Sequence, residues 1–93
     1  MSGPLSGIRI IELATMIAVP GATHLLATQG AEVIKVEDPV RGDELRHYGS
    51  QKGGMSAWFI NANSGKRSIA LDLQHAEGKR VLWKLLELSL IHI

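Results

Sequence analysis

Ninety-three residues, 45% hydrophobic and 20% charged, make one small globular domain or a piece of a larger one, with material for only a modest core. A formal net charge of +1 argues against a nucleic-acid binder or a polybasic membrane tether, and the absence of cysteine excludes disulfide frameworks, thiolate nucleophiles and Cys-type zinc sites. The lead-in from Met1 to Gly7 has neither the basic flank nor the apolar run of a secretory signal. No stretch reaches the roughly 18 apolar residues of a membrane span, so the expected compartment is the cytoplasm.

Ile8 to Leu13 is rich in β-branched residues and reads as a first strand. Ala14 to Val19 forms a short apolar loop, and Pro20 then stands where a helix begins, at a position that tolerates a missing N–H. Ala22, Leu25 and Leu26 give that helix one apolar face. Gly30 ends it, since glycine takes the left-handed cap conformation without Cβ strain. The run Gly30-Ala31-Glu32-Val33-Ile34-Lys35-Val36-Glu37-Asp38-Pro39 is a buried strand whose acidic end delivers polar groups to a surface. Strand, helix and strand with short connections make a βαβ unit, with parallel strands and a right-handed crossover.

From Asp38 to Ser56 periodicity dissolves into Pro, Gly, Arg, Ser and Lys, a loop long enough to be functional or mobile. Ala57-Trp58-Phe59-Ile60 suits one helical turn, and Asn61 to Gly65 is turn chemistry. Ser68 to Leu73 reads as a third strand. A helix from His75 follows, with Val81, Leu82, Leu85 and Leu86 along one side and Glu77 placed to pair with Arg80. The uncharged tail Leu88 to Ile93 is out of keeping with that amphipathic helix and looks like translated sequencing adapter. The expectation is a native sequence over 1–87, truncated there, and a non-native tail over 88–93.

Ligands of open parallel sheets bind outside the carboxyl ends of the strands. Three segments should meet there: Ala14 to Ala18, Glu37 to Arg41, and Asp72 to His75. The N-terminus of the Pro20 helix points into the same crevice and favours a phosphate. Arg41, Arg46, Lys66 and Arg67 are placed to neutralise phosphates, although the same residues equally suit a solvated loop face. A dinucleotide is disfavoured because Ala14 to Gly21 lacks G-x-G-x-x-G, and Glu37 as a ribose-binding acid is no better supported than Glu37 as a solvated strand cap. Gly65-Lys66-Arg67-Ser68 has the wrong spacing for a phosphate loop of the Walker type. His24, His47, His75 and His92 show no paired ligand spacing, so no metal is expected. Asp43, Glu44 and Asp72 are carboxylates without an evident catalytic partner, and no G-x-S-x-G is present. The residues themselves thus support a site for a phosphate-bearing ligand and no identifiable catalytic machinery.

Several blocks nevertheless occur in a specific order. They are Pro4-Leu5-x-Gly7-Ile8-x-Ile10-x-Glu12-Leu13, Gly30 to Glu37, Gly42-Asp43, Asn63-x-x-Lys66-Arg67-Ser68-Ile69-x-Leu71-Asp72-Leu73, and Glu77-Gly78. Together they resemble the opening of a class III coenzyme A transferase, a family that includes formyl-CoA and carnitine CoA-transferases and α-methylacyl-CoA racemases. The resemblance runs from Pro4 to Glu87. It implies the start of an α/β, Rossmann-like, parallel-sheet CoA-binding domain in an enzyme that moves CoA between carboxylic acids. It also implies acyl-CoA and a carboxylic acid as partners, no metal, and an interlocked homodimer. The transferases of the family work through an aspartate that forms an acyl anhydride and then an aspartyl-CoA thioester, and that aspartate lies beyond this chain.

Carried over residue by residue, Met16, Ile17 and Ala18 match the loop beside the pantetheine and thioester, while Leu71, Asp72, Leu73 and Gln74 match the segment beside the adenine and its phosphates. Ile17 stands where a formyl-CoA transferase has glutamine, which puts formyl transfer in question. Asp38 occupies a position where some members place an arginine on the nucleotide, and Arg41 is the candidate substitute. Gln74 replaces a basic residue of some relatives, and Val19-Pro20 departs from Gly-Pro. The long loop before Asn61 favours a transferase over a racemase. A non-CoA nucleotide-binding module is the alternative from another class, and the 93 residues in isolation are expected to be inactive, with apolar surface on the final helix uncovered.

Overall fold

A computed structural model describes residues 3–13, 15–16, 18–49, 51–53, 55–89 and 91–92. Its centre is a parallel sheet built from β1 (Arg9–Glu12), β2 (Glu32–Glu37), β5 (Arg67–Ala70) and the two-residue β6 (Ile91–His92), in the order β5-β2-β1-β6. Between β1 and β2 runs helix α1 (Ala18–Thr28), which completes the expected βαβ unit. Between β2 and β5 the chain forms a 3-10 turn (Glu44–His47), a small antiparallel hairpin of β3 (Gln51–Lys52) and β4 (Met55–Ser56), and helix α2 (Ala57–Asn63). Helix α3 (Ala76–Glu87) follows β5.

Strand alternation decides what each face of the sheet carries. Ile10 and Glu12 of β1 share a face with Val33, Lys35 and Glu37 of β2, because Ile10 is paired with Val33 and Glu12 with Lys35. Helix α1 covers this face. Near the strand starts the contact is apolar: Ile10, Val33, Ala27 and Ala31 form the core, flanked by Leu5, Ile8 and Leu26. Towards the strand ends the same layer becomes ionic. Ile10 and Ile11 point to opposite faces, and both are fully buried, as a strand covered on two sides requires.

Helix α1 starts two residues before Pro20, which therefore lies inside the first turn and still costs no intrahelical hydrogen bond. Its end is the expected glycine cap. Gly30 has φ 103, its N–H donates to Ala27 O, and the Ala31 N–H donates to Leu26 O, which together form a Schellman motif. Helix α3 is capped by His75, whose ring accepts from the Glu77 N–H at 3.2 Å, and Glu77 pairs with Arg80 at 2.7 Å as the spacing predicted. No residue of α3 is buried, and Trp83 and Leu88 are largely exposed.

Two expectations need correction. Asn61 to Asn63 belongs to α2 rather than to a turn, because Ser56 caps a helix that runs on past Ile60. The third strand is shorter than Ser68 to Leu73. After Ala70 only the Leu71 N–H continues the pairing, to Glu37 O at 3.0 Å, and Asp72 then turns the chain towards α3.

Candidate functional site

The carboxyl ends of β1, β2 and β5 surround a cleft of about 410 Å³. Leu13 and Thr15 reach it from β1, Val36 to Val40 and Gly42 from β2, and Leu71 to Gln74 from β5. Of the residues matched to the ligand by resemblance, Asp38, Leu71, Asp72, Leu73 and Gln74 are brought together here. Met16 and Arg41 lie in the adjoining loops and Ala18 opens helix α1, none of them lining it, and Ile17 falls outside the described residues. A larger depression of about 710 Å³ follows α2 past Trp58 and Ile60, with no charged side chain in its lining and no residue in common with the cleft.

The turns that wall the cleft are held by its own acids. Asp38 Oδ2 accepts from the N–H groups of Val40 at 3.0 Å and Arg41 at 2.9 Å, while its carbonyl accepts from Gly42. Asp72 repeats the device, taking the Gln74 N–H at 3.0 Å on Oδ1. Gly42 closes the first turn with φ 71. A Cβ there would also lie 2.9 Å from Glu37 Oε1 and 3.0 Å from Arg46 Cδ, so both conformation and space demand glycine.

Glu37 is not a solvated cap; it is buried. Its carboxylate accepts both arms of Arg46, at 2.7 and 2.8 Å, the Asp43 N–H at 2.9 Å and the Ser68 hydroxyl. Burial works to raise its pKa. The Arg46 guanidinium, the Ser68 hydroxyl and the Asp43 amide outweigh burial and hold the carboxyl at about 2. Arg46 in turn lies 3.8 Å over the Phe59 ring centre.

Beneath the cleft is a cluster of buried charges. Lys35 Nζ lies 2.6 Å from Glu12 Oε2 and 2.7 Å from Asp43 Oδ2, and these three side chains are at most 1% exposed. Glu12 Oε1 accepts from Lys66 Nζ at 2.8 Å and from the Thr23 hydroxyl of α1. Lys66 also donates to Pro20 O and Asn63 Oδ1, so its ammonium is fully occupied. Burial alone would raise the pKa of Glu12 and Asp43. The hydrogen bonds from Lys35 and Lys66 to Glu12, and from Lys35 and the Leu45 and Met16 amides to Asp43, lower both instead. Burial lowers the pKa of Lys66, against the pull of Glu12.

Asp43 ties this cluster to the loop after β1. Its Oδ1 accepts from Leu45 N–H at 2.9 Å, capping the 3-10 turn, and from Met16 N–H, also at 2.9 Å. Met16 has φ 70, the only positive value of a non-glycine among the described residues. Left-handed backbone of this kind costs about 1–3 kcal/mol and persists only where its surroundings impose it.

The four basic residues expected to neutralise phosphates are thus not gathered at the cleft. Lys66 is buried on Glu12, and Arg46 is committed to Glu37. Arg67 lies at the opposite end of the strands, paired with Glu32 at 2.8 Å. Arg41 remains near the mouth, its exposed guanidinium bonded to Glu44 at 3.1 and 3.3 Å. The Asp43 carboxylate, expected to lack an evident partner, has three: Lys35 and the amides of Leu45 and Met16. The buried cluster went unread in the sequence, although one signal was present: Glu12 and Lys35 stand on strands too apolar to leave a charge solvated. His24, His47 and His75 are separately engaged, with Ser64 O, with Arg41 O and as a helix cap. Among the described residues no group of three or more His, Asp and Glu is placed to hold a metal, and no helix is long and apolar enough to cross a membrane.

The comparisons with known proteins fall on this whole arrangement. The family profile described as CoA-transferase family III matches residues 5–92. The chain is 46% identical over 85 residues to the succinyl-CoA–L-malate CoA-transferase beta subunit of Chloroflexus aurantiacus, covering 89% of this chain and 21% of that one. With the succinate–glutarate CoA-transferase of Agrobacterium fabrum it shares 48% identity over 89 residues, 88% of this chain and 22% of the relative. A crystal structure of a CAIB/BAIF family protein from Brucella suis superposes with a TM-score of 0.90 at 35% identity, over 99% of this chain and 25% of that protein. The chain therefore spans about a fifth of the length of the curated relatives it matches. A parallel sheet with its cleft at the strand ends, matched over nearly its whole length in sequence and in structure, places the chain in CoA-transferase family III.

Proposed function

We propose that this chain is the N-terminal part of the CoA-binding domain of an acyl-CoA:carboxylate CoA-transferase. The observation that carries the reading is the cleft at the strand ends, within a segment matched throughout by the family profile. Two curated relatives carry names that specify CoA transfer to or from dicarboxylic acids, which supports a carboxylate as acceptor.

The cleft suits one part of CoA better than another. Leu71, Leu73, Pro39 and Val40 offer apolar surface for a flat heterocycle, while Asp38 and Asp72 repel phosphates that come close. At about 410 Å³ it admits a portion of CoA rather than the whole molecule. The phosphates then lie outside it, towards Arg41. Met16 and Ala18 pass beside the pantetheine arm on the other side.

Chemistry is assigned to an aspartate outside this chain. Its carboxylate attacks the acyl-CoA carbonyl, releasing CoA thiolate and leaving a mixed anhydride. The thiolate attacks the aspartyl carbonyl, releases the donor acid and leaves an aspartyl-CoA thioester, which the acceptor carboxylate then resolves by the reverse sequence. The working protein is a cytoplasmic interlocked homodimer, and the 93 residues alone are inactive, since they lack the nucleophile and leave Trp58, Trp83 and Leu88 exposed.

The test is trapping. The full-length protein, incubated with a panel of acyl-CoA donors and then hydroxylamine, should yield a hydroxamate on one aspartate and should transfer CoA to a dicarboxylate. Inversion at the α-carbon of a 2-methylacyl-CoA, with no trapped adduct, would make it a racemase of the same family instead.

A further inference from the structure

We propose that Asp43 is a positioning residue that locks the two walls of the cleft together: its buried carboxylate, braced by Lys35, fixes the left-handed backbone at Met16 and thereby the placement of Thr15. The geometry stands without the CoA reading of the cleft, and the consequence for the substrate rests on that reading.

Capping alone does not account for this carboxylate. A cap of the 3-10 turn needs only the bond to Leu45 N–H. Asp43 adds a bond to Met16, 27 residues earlier in the chain, at a backbone conformation that needs an external hold. Its second oxygen meets the Lys35 ammonium at 2.7 Å, so the acceptor is a fixed charge rather than a rotating polar group. Its own N–H donates to Glu37 Oε1 at 2.9 Å. Glu37 and Thr15 both line the cleft, from β2 and from the loop after β1. Asp43 thus connects opposite walls through two hydrogen bonds, and its burial at 1% keeps water from replacing either. Lys35 and Glu12 extend the brace to the root of the loop, where Glu12 ends β1.

The experiment uses full-length protein with Asp43→Ala and Asp43→Asn, read by amide hydrogen exchange and by steady-state kinetics with an acyl-CoA. Asp43→Ala removes the hold on Met16. Exchange of the Met16 amide should rise about tenfold while Val33 and Val36 in β2 exchange as in the wild type. KM for the acyl-CoA should rise about tenfold with kcat within roughly twofold, the pattern of lost ground-state positioning. Asp43→Asn keeps an oxygen for Met16 but not the charge for Lys35, so it should recover part of both effects. Loop exchange at the wild-type rate, or a rise shared equally by β2, would overturn the proposal. If Asp43→Ala does not fold, Asp43→Asn decides by the same comparison of loop and β2 exchange. The predicted exchange pattern in a protein with no affinity for CoA would uphold the positioning role and overturn the functional reading of the cleft.

Discussion

Replacing Lys35 by methionine tests the buried charge cluster at its centre. Lys35 Nζ sits between Glu12 Oε2 at 2.6 Å and Asp43 Oδ2 at 2.7 Å, with all three side chains out of water. Methionine fills much the same volume, so packing is nearly conserved and the loss is electrostatic. Glu12 keeps Lys66 and Thr23. Asp43 keeps its amide donors, which leaves a buried carboxylate with no cation bonded to it. Breaking a buried pair in this way costs about 3–5 kcal/mol, a large share of the stability of a small domain. Asp43, held low chiefly by Lys35 against burial, will then rise and take up a proton on folding. A group whose folded pKa exceeds its unfolded value loses stability as pH rises, so Lys35→Met should be more damaging at pH 8 than at pH 5. Urea unfolding of wild type, Lys35→Met and the double variant Lys35→Met/Asp43→Asn at both pH values measures this. The double variant should recover at least about 1 kcal/mol, because removing both partners leaves no orphaned charge. A loss under about 1 kcal/mol, or one independent of pH, would refute a buried, charged cluster.

Glu37 carries a related prediction. Its carboxyl is held at about 2 in the folded protein against an ordinary 4.5, so its contribution is complete above about pH 4.5 and is lost as pH falls towards 2. Roughly 1.4 kcal/mol per pH unit over that window sets a ceiling of about 3.5 kcal/mol, reduced by the solvent that reaches the partly exposed Arg46. Glu37→Gln should flatten the acid limb of a stability–pH curve by an amount below that ceiling. Gly42→Ala should cost about 1–3 kcal/mol, from its φ of 71 and from a Cβ pressed to within 3.0 Å of Glu37 and Arg46, with thermal unfolding as the readout. A neutral effect there would mean that the turn beside Glu37 relaxes freely.

The βαβ frame was legible because it is written in local terms: apolar runs at Ile8 to Leu13 and Ala31 to Val36, one helical stripe between them, and Gly30 where the helix must stop. The stretch from Asp38 to Ser56 was not, since a four-residue 3-10 turn and two-residue strands are too short to show a period. The cleft followed from the topology, and five of the resemblance-matched residues meet in it. What remained hidden were the partners of the charges. Lys66 and Arg46 read as phosphate ligands because their carboxylates, Glu12 and Glu37, lie 54 and 9 residues away along the chain. Only the register Glu12↔Lys35 puts opposite charges side by side on a buried face, and register is a tertiary fact.

The most direct measurement is hydrogen exchange of the full-length protein with and without CoA, and with NADH as the competing ligand. CoA should protect the amides of Leu71 to Gln74 and of the Asp38 turn, with weaker protection at 15–18, while NADH leaves all of them unchanged. Protection by NADH with none from CoA would contradict the assignment of this cleft to CoA.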